Sequence, residues 1–230
     1  MTPPVPSLDD LDVVIPVLNG GDRLVQTLKA LPAVHQVIVV DGGSTDGSEV
    51  VAAGEGAHVL LSAPGRGAQL VLGAQASRAQ WLLFLHADTV LDDAAWAATA
   101  SFIDRPKAAD CAAVFRLTLD DPAWQARVLE LCVRLRVAFL ALPYGDQGLL
   151  IHRDLYAEVG GFAALPLMED VDLVLRLGRR RLCLLDGAAL TSAERWRRRG
   201  WMRQTARNLG CLTLYFIGVA PDRIAEFYAR

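Results

Sequence analysis

The chain has 230 residues and a mass of 24.9 kDa, with 53% hydrophobic and 21% charged residues and 19 dispersed glycines, which fits one globular domain and excludes disorder, collagen and coiled coil. Lys and Arg number 23 against 26 Asp and Glu, a net −3 that lacks the basic excess nucleic-acid binding demands. Residues 1–122 carry 7 basic and 15 acidic groups (7 − 15 = −8), and residues 123–230 carry 16 and 11 (16 − 11 = +5), which pairs a half suited to a metal with one suited to phosphate or an anionic surface, or reflects chance on solvated faces.

In chain order, Asp12–Leu18 is a short continuous apolar run and predicts a strand buried on both faces. A helix follows over 22–31. Gln36–Val40 predicts a strand, 44–54 a helix, His58–Leu61 a strand, 67–77 a helix and Trp81–Leu85 a strand. This alternation predicts an α/β fold with a mostly parallel sheet and helices on both faces. Further on come a helix over 92–103, a strand over Cys111–Leu119 and a long amphipathic helix after Pro122. A strand at Leu149–Ile151, helices over 154–159 and 169–177, a strand at Leu182–Leu185 and a helical tail complete the chain. No linker separates domains. The chain reads as one domain, with one half over about 12–122, a second over about 123–200 and C-terminal helices over about 201–230.

Cys111, Cys132, Cys183 and Cys211 lie far apart and predict buried thiols in a reducing compartment rather than zinc ligands. Met1 to Asp12 holds prolines and acids where a signal peptide needs a basic start and an apolar run, so a cytoplasmic location is expected. Val137–Leu142 and Leu209–Ala220 are too short to span a bilayer and predict core packing. The arginines at 195, 197, 198, 199, 203 and 207 before the second stretch also suit peripheral contact with the inner membrane face.

In an open parallel sheet, ligands bind beyond the carboxyl ends of the strands. Those ends carry Pro16-Val-Leu18-Asn19, Asp41-Gly42-Gly-Ser44, Gly65-Arg66 and His86-Ala87-Asp88. The Asp41 carboxylate can accept from a base N–H or a ribose hydroxyl, or it shapes the turn while Ser44 caps the next helix. Asp88 is placed for a hard cation, Mg2+ or Mn2+. Asp92 and Asp93 suit the first turn of the following helix. Glu169-Asp170, after an apolar loop, offers a general base toward an acceptor hydroxyl.

Those residues in that order resemble glycosyltransferase family 2, enzymes of the GT-A (Rossmann-like) nucleotide-diphospho-sugar transferase fold. Ile15-Pro16-Val-Leu18-Asn19 is similar to the family's first-strand motif and Val40-Asp41-Gly42-Gly-Ser44-Thr-Asp-Gly-Ser48 to its second. Gly65-Arg66-Gly67-Ala-Gln69-Leu resembles the loop and helix beside the base and ribose. His86-Ala87-Asp88 stands at the Asp-x-Asp position and Glu169-Asp170 at the acceptor-side motif. More narrowly, His86-Ala-Asp-Thr89, Gly145-Asp146-Gln147-Gly148, Leu167-Met-Glu-Asp-Val-Asp172 and Thr191-Ser-Ala-Glu-Arg195-Trp196 resemble a bacterial subgroup associated with arsenosugar biosynthesis.

The resemblance implies an inverting transfer of a sugar from a nucleoside-diphosphate sugar, a UDP-sugar first among the donors, to an acceptor hydroxyl. It implies also that the half over about 12–122 binds the nucleotide-sugar and that the half over about 123–200 is the acceptor side. Asp41 would hold the nucleobase or ribose, Asp88 the metal, and Asp170 would be the base. Gly145, Asp146 and Gln147 would line the acceptor side, and Arg195 and Trp196 would close over the diphosphate. The chain departs from the pattern at Gly20, where the family commonly has Glu, and at His86, where it has Asp. These departures motivate a rival, a catalytically silent nucleotide-sugar binder or membrane-surface adaptor. A nucleotidyltransferase is a further alternative, for which Asn19-Gly-Gly-Asp-Arg23 is a poor phosphate loop.

Overall fold

The computed structural model describes residues 8–229. Residues 1–7, part of the stretch used to argue against export, and residue 230 lie outside it. Strands β1 (Leu11–Val17), β2 (Gln36–Asp41), β3 (His58–Leu61) and β4 (Trp81–Phe84) alternate with helices α1 (Gly21–Lys29), α2 (Ser48–Gly54) and α3 (Arg66–Ala76). Then come β5 (Thr89–Leu91), α4 (Asp93–Ile103), β6 (Ala112–Leu119), α5 (Trp124–Leu140), β7 (Leu149–His152), α6 (Arg153–Glu158) and α7 (Glu169–Leu177). The chain ends in β8 (Leu182–Thr191), α8 (Glu194–Arg199), α9 (Trp201–Phe216) and α10 (Pro221–Ala229).

All eight strands join one sheet in the order β3-β2-β1-β4-β7-β6-β8-β5. The first four pair in parallel, as the helical crossovers require, while β7 runs antiparallel to β4 and β6, and β5 antiparallel to β8. Every residue of β1 is buried because the strand is covered on both faces. Leu11, Val13, Ile15 and Val17 pack with Leu24 of α1, Ala52 of α2 and Trp96 of α4, whereas Val14 packs with Leu70 and Ala74 of α3 and Leu173 of α7. Pro16 lies beyond the last β4 partner, Val14, so its missing N–H costs no ladder bond on that side.

Two strand segments depart from the sequence expectation. β5 has three residues, too few to show a period, and exists because it pairs with the end of β8. β8 runs on to Thr191 through Asp186-Gly187-Ala188-Ala189, a segment of weak strand propensity held between β6 and β5. Asp92 caps α4, its carboxylate accepting from Ala95 N at 2.7 Å, and Asp93 opens the first turn.

The two apolar stretches are only half committed to the core. Val137 and Leu142 are buried, but Ala138, Phe139 and Leu140 are exposed. In α9, Cys211 and Leu212 pack against Met168, Val171 and Val174, while Leu209, Phe216 and Ile217 face outward. No helix among the described residues is long and apolar enough to cross a membrane. All four cysteines are free, and of these Cys211 is buried, Cys111 and Cys183 are half-buried and Cys132 is exposed on α5, which corrects the expectation that all are buried.

Candidate active site

The loops after β1 and β2 form one unit. The backbone N–H groups of Asn19, Gly20 and Gly21 donate to Ser44 Oγ (2.8 Å), Ser48 Oγ (2.9 Å) and Asp46 Oδ2 (2.9 Å), and Thr45 N donates to Asn19 Oδ1 at 2.9 Å. Ser44 is therefore a latch between loops rather than a helix cap, because α2 begins only at Ser48. A Cβ at Gly20 would meet Val17 Cγ2 at 2.7 Å and Leu24 Cβ at 3.0 Å, so this packing has no room for a longer residue there.

Asp41 makes the contacts of the turn-shaping reading. It is 1% exposed, and its Oδ1 accepts from Gly43 N and Ser44 N at 2.8 and 2.7 Å, so it holds the turn. Gln69 donates from Nε2 to Val17 O and Val40 O, both at 2.7 Å, tying the ends of β1 and β2 together. A Cβ on Gly42 would lie 3.1 Å from that amide nitrogen.

Two cavities, each of about 470 Å3, open beyond these strand ends. The first is walled by Pro16, Leu18, Asn19, Arg23, Gly65, Gln69 and Ala87. Tyr144, Gly145, Asp146, Met168, Asp170 and Trp196 wall the second. Leu18, Arg66, His86, Asp88 and Arg195 belong to both, so the two form one cleft with a basic and acidic seam. Asp41, Gly42 and Ser44 line neither, and Gln147 faces away. It is 2% exposed, donates to Phe115 O at 2.8 Å and borders a separate cavity under α5.

Arg66, at the start of α3, organises the seam. Its Nε donates to Glu169 Oε1, its Nη2 lies 3.8 Å from Asp170 Oδ2, and its Nη1 lies 3.4 Å from His86 Nε2. Burial works against the guanidinium charge, but Glu169, Asp170 and Asp146 outweigh it and raise the pKa. Glu169 sits below the cleft, 1% exposed, with Oε2 lacking a partner among the described residues; burial pushes its carboxyl up, and Arg66 holds it down only in part. Asp170 reaches the cleft instead. Its Oδ2 accepts from Gly145 N at 2.7 Å and its Oδ1 from Val171 N at 2.8 Å, which fixes the carboxylate.

Burial, reinforced by Arg66 and Arg195, pushes His86 well below the usual imidazole range, so the ring is neutral and Nε2 accepts from Arg66. A Cβ on Gly145 would lie 2.7 Å from that Nε2, so this approach requires glycine. Burial raises the Asp88 carboxyl against the pull of Arg195, Arg23 and Arg66. Burial also lifts Asp146 to about 6, Arg136 opposing and Asp170 adding to the rise, and its Oδ1 has no partner among the described residues. Arg195 is exposed, bonded to Tyr228 Oη at 3.1 Å, and Trp196 is buried beside Trp201 with ring centroids 6.4 Å apart.

Tyr144 and Tyr228 escaped the sequence reading, and Arg23 entered it only as part of a poor phosphate loop. Arg23 bridges Asp120 and Glu194 at 3.2 Å each, and its place just after the first strand loop was an available signal. Tyr144 adjoins the Gly145 turn and was recoverable in the same way. Nothing local marks Tyr228, which arrives from α10.

A mostly parallel sheet with a cleft of mixed charge beyond its carboxyl ends is the α/β arrangement in which ligands bind at the strand ends. The model of glycosyl transferase family 2 matches residues 12–165, and the chain belongs to that family. An uncharacterized glycosyltransferase of Mycobacterium tuberculosis is 43% identical over 53 residues, 23% of this chain and 24% of that relative, so the match spans about a quarter of the curated protein. Among solved structures, a mannosyltransferase from Pyrobaculum calidifontis in complex with GDP-Man and Mn2+ superposes with TM-score 0.65 at 16% identity over 96% of this chain and 68% of that one. S. aureus TarS in complex with UDP-GlcNAc gives 0.59 at 16% identity, over 80% and 58%. The fold is GT-A.

Proposed function

We propose that this chain transfers a sugar from a nucleoside-diphosphate sugar, a UDP-sugar first, to an acceptor hydroxyl with inversion at the anomeric carbon. The observation that carries the reading is the seam of Arg66, His86, Asp88 and Arg195 shared by two cavities, with the fixed carboxylate of Asp170 on the second. In this reading the nucleotide lies along Pro16, Leu18 and Asn19, and the diphosphate at Asp88 and Arg195. The acceptor lies against Gly145, Asp146 and Trp196. Asp41, Gly42, Ser44 and Gln69 act through the shape of the loops.

Asp170 takes the proton of the acceptor hydroxyl as that oxygen attacks the anomeric carbon and the bond to the diphosphate breaks. One displacement from the face opposite the leaving group inverts configuration. The Gly145 N–H and Arg66 hold the base in place, and Glu169 below keeps Arg66 extended. A general base contributes about 10²–10⁴-fold, and neutralising the leaving diphosphate accounts for the larger share. Arg195, exposed at the cleft beside Tyr228, pairs with that charge.

The residues fit a divalent cation. Asp88 is a desolvated carboxylate whose raised pKa a cation would relieve, and Asp146 Oδ1 lacks a partner. No group of three or more His, Cys, Asp or Glu suited to a metal occurs among the described residues. Mg2+ needs only one or two protein carboxylates when phosphate and water supply the rest. When bound through Asp88, Mg2+ or Mn2+ supplies electrostatic stabilisation of the diphosphate.

The narrower likeness to the arsenosugar-associated subgroup adds a small-molecule or glycolipid acceptor, and a cytoplasmic site of action, peripheral to the inner membrane face, belongs to the same reading. The test is a thermal-shift panel of nucleotide-sugars with Mn2+, followed by measurement of nucleoside diphosphate released with acceptors. One donor raising the melting temperature, with metal-dependent release, is expected. Binding without release across the acceptor panel overturns transfer in favour of the silent binder.

A further inference from the structure

We infer that the outer face of α5 is a docking surface for anionic phospholipid. Trp124, Val128, Leu131, Leu135 and Phe139 follow one another at steps of three or four residues, which places them on one helical stripe. Trp124 is 70% exposed and Phe139 71%, with the three between them exposed as well. The inner face of the same helix, Ala126, Val133 and Val137, is already buried against Leu117, Leu119 and Trp196. The outer stripe is therefore apolar area that packing within the chain leaves uncovered. Exposed Leu184 of β8 continues it across a cavity of about 370 Å3 that Leu131 and Leu135 also border.

Charge selects the occupant. Arg116 and Arg134 line that cavity, and Arg180 adjoins Arg179, whose guanidinium donates to Ala138 O and Phe139 O at the end of α5. Arg116, Arg134 and Arg180 are exposed, and their guanidinium groups have neither a hydrogen-bond nor an ion-pair partner among the described residues. Among the described residues, Asp186 is the one acid on the cavity wall. A second copy docked about a two-fold axis would set this basic rim against itself. A leaflet of anionic headgroups pairs with it while the stripe enters the acyl boundary. The surface is distinct from the α9 stretch, and it connects to the cleft because Arg136 bonds Leu142 O at 2.8 Å and stacks 3.4 Å from the Tyr144 ring centroid.

The test is flotation of the full chain with vesicles of phosphatidylcholine alone or mixed with phosphatidylglycerol. No nucleotide or metal is added, so the outcome does not depend on the catalytic reading. Binding to the mixed vesicles only, weakening as salt rises, is expected. The Trp124→Ser/Phe139→Ser and Arg134→Glu/Arg180→Glu variants, shown to be folded by circular dichroism, should each bind about tenfold or more weakly. The inference is overturned by absence of binding to the mixed vesicles or by undiminished binding of either variant. It is equally overturned if light scattering shows a dimer of the free protein that the Trp124/Phe139 variant abolishes.

Discussion

Replacing Arg66 by Gln leaves the carboxylate of Glu169 buried with no cation beside it. The Glu169 side chain is 1% exposed and that of Arg66 31%, so the pair is buried on one side and partly wet on the other. Removing one partner of a buried pair costs 3–5 kcal/mol, and the partial exposure of Arg66 places this case at the lower end, about 3 kcal/mol. At 2–4 °C per kcal/mol for a domain of this size, the melting temperature at pH 8 should fall by about 6–12 °C. The loss is pH-dependent. Without Arg66, burial raises Glu169 further above its unfolded pKa of about 4.3, so the folded state holds the extra proton. Stability from that proton is complete below the unfolded pKa and disappears as pH rises through the folded one. The loss should therefore be clearly smaller at pH 5.5 than at pH 8, and Glu169→Gln added to Arg66→Gln should recover part of it. Melting scans of the wild type, single and double variants at both pH values decide the matter. Equal losses at both pH values with no recovery in the double variant would show that Glu169 carries no buried charge.

Asp170→Asn should leave donor affinity by calorimetry within about twofold and lower turnover by about 10²-fold or more; unchanged turnover excludes the base role. Because the His86 pKa is depressed in the fold, the unfolded chain takes up the proton first on acidification, so stability present above about pH 6.5 is lost as pH falls. His86→Gln should flatten that decline between pH 7 and 5 in denaturant titrations, and an unaltered slope would mean another group carries it. Asp146, lifted to about 6, should give the rate profile an acid limb near that pH, the ionised form being active, and Asp146→Asn should remove the limb. Persistence of the limb in the variant would assign it elsewhere.

Much of this molecule follows from local order. The apolar run at 12–18 became β1, Gln36–Val40 became its parallel neighbour β2, and His58–Leu61 became β3 beside β2, because each strand is followed by a helix that brings the next one alongside in parallel. The positions of Asp88, Gly145, Asp170 and Arg195 around one cleft were likewise legible from residues standing at strand and helix ends. Tertiary contacts decided what each side chain does there. Asp41 and Gln147 have the residue types of ligand-binding groups, yet Oδ1 of the first accepts from two backbone N–H groups and Nε2 of the second donates to Phe115 O. The pairing of Arg66 with Glu169 spans 103 positions and has no local signature. Burial, which shifts His86, Asp88 and Asp146, is a property of everything packed around a group. A sequence states which groups can ionise, and only the assembled fold sets how much water each retains.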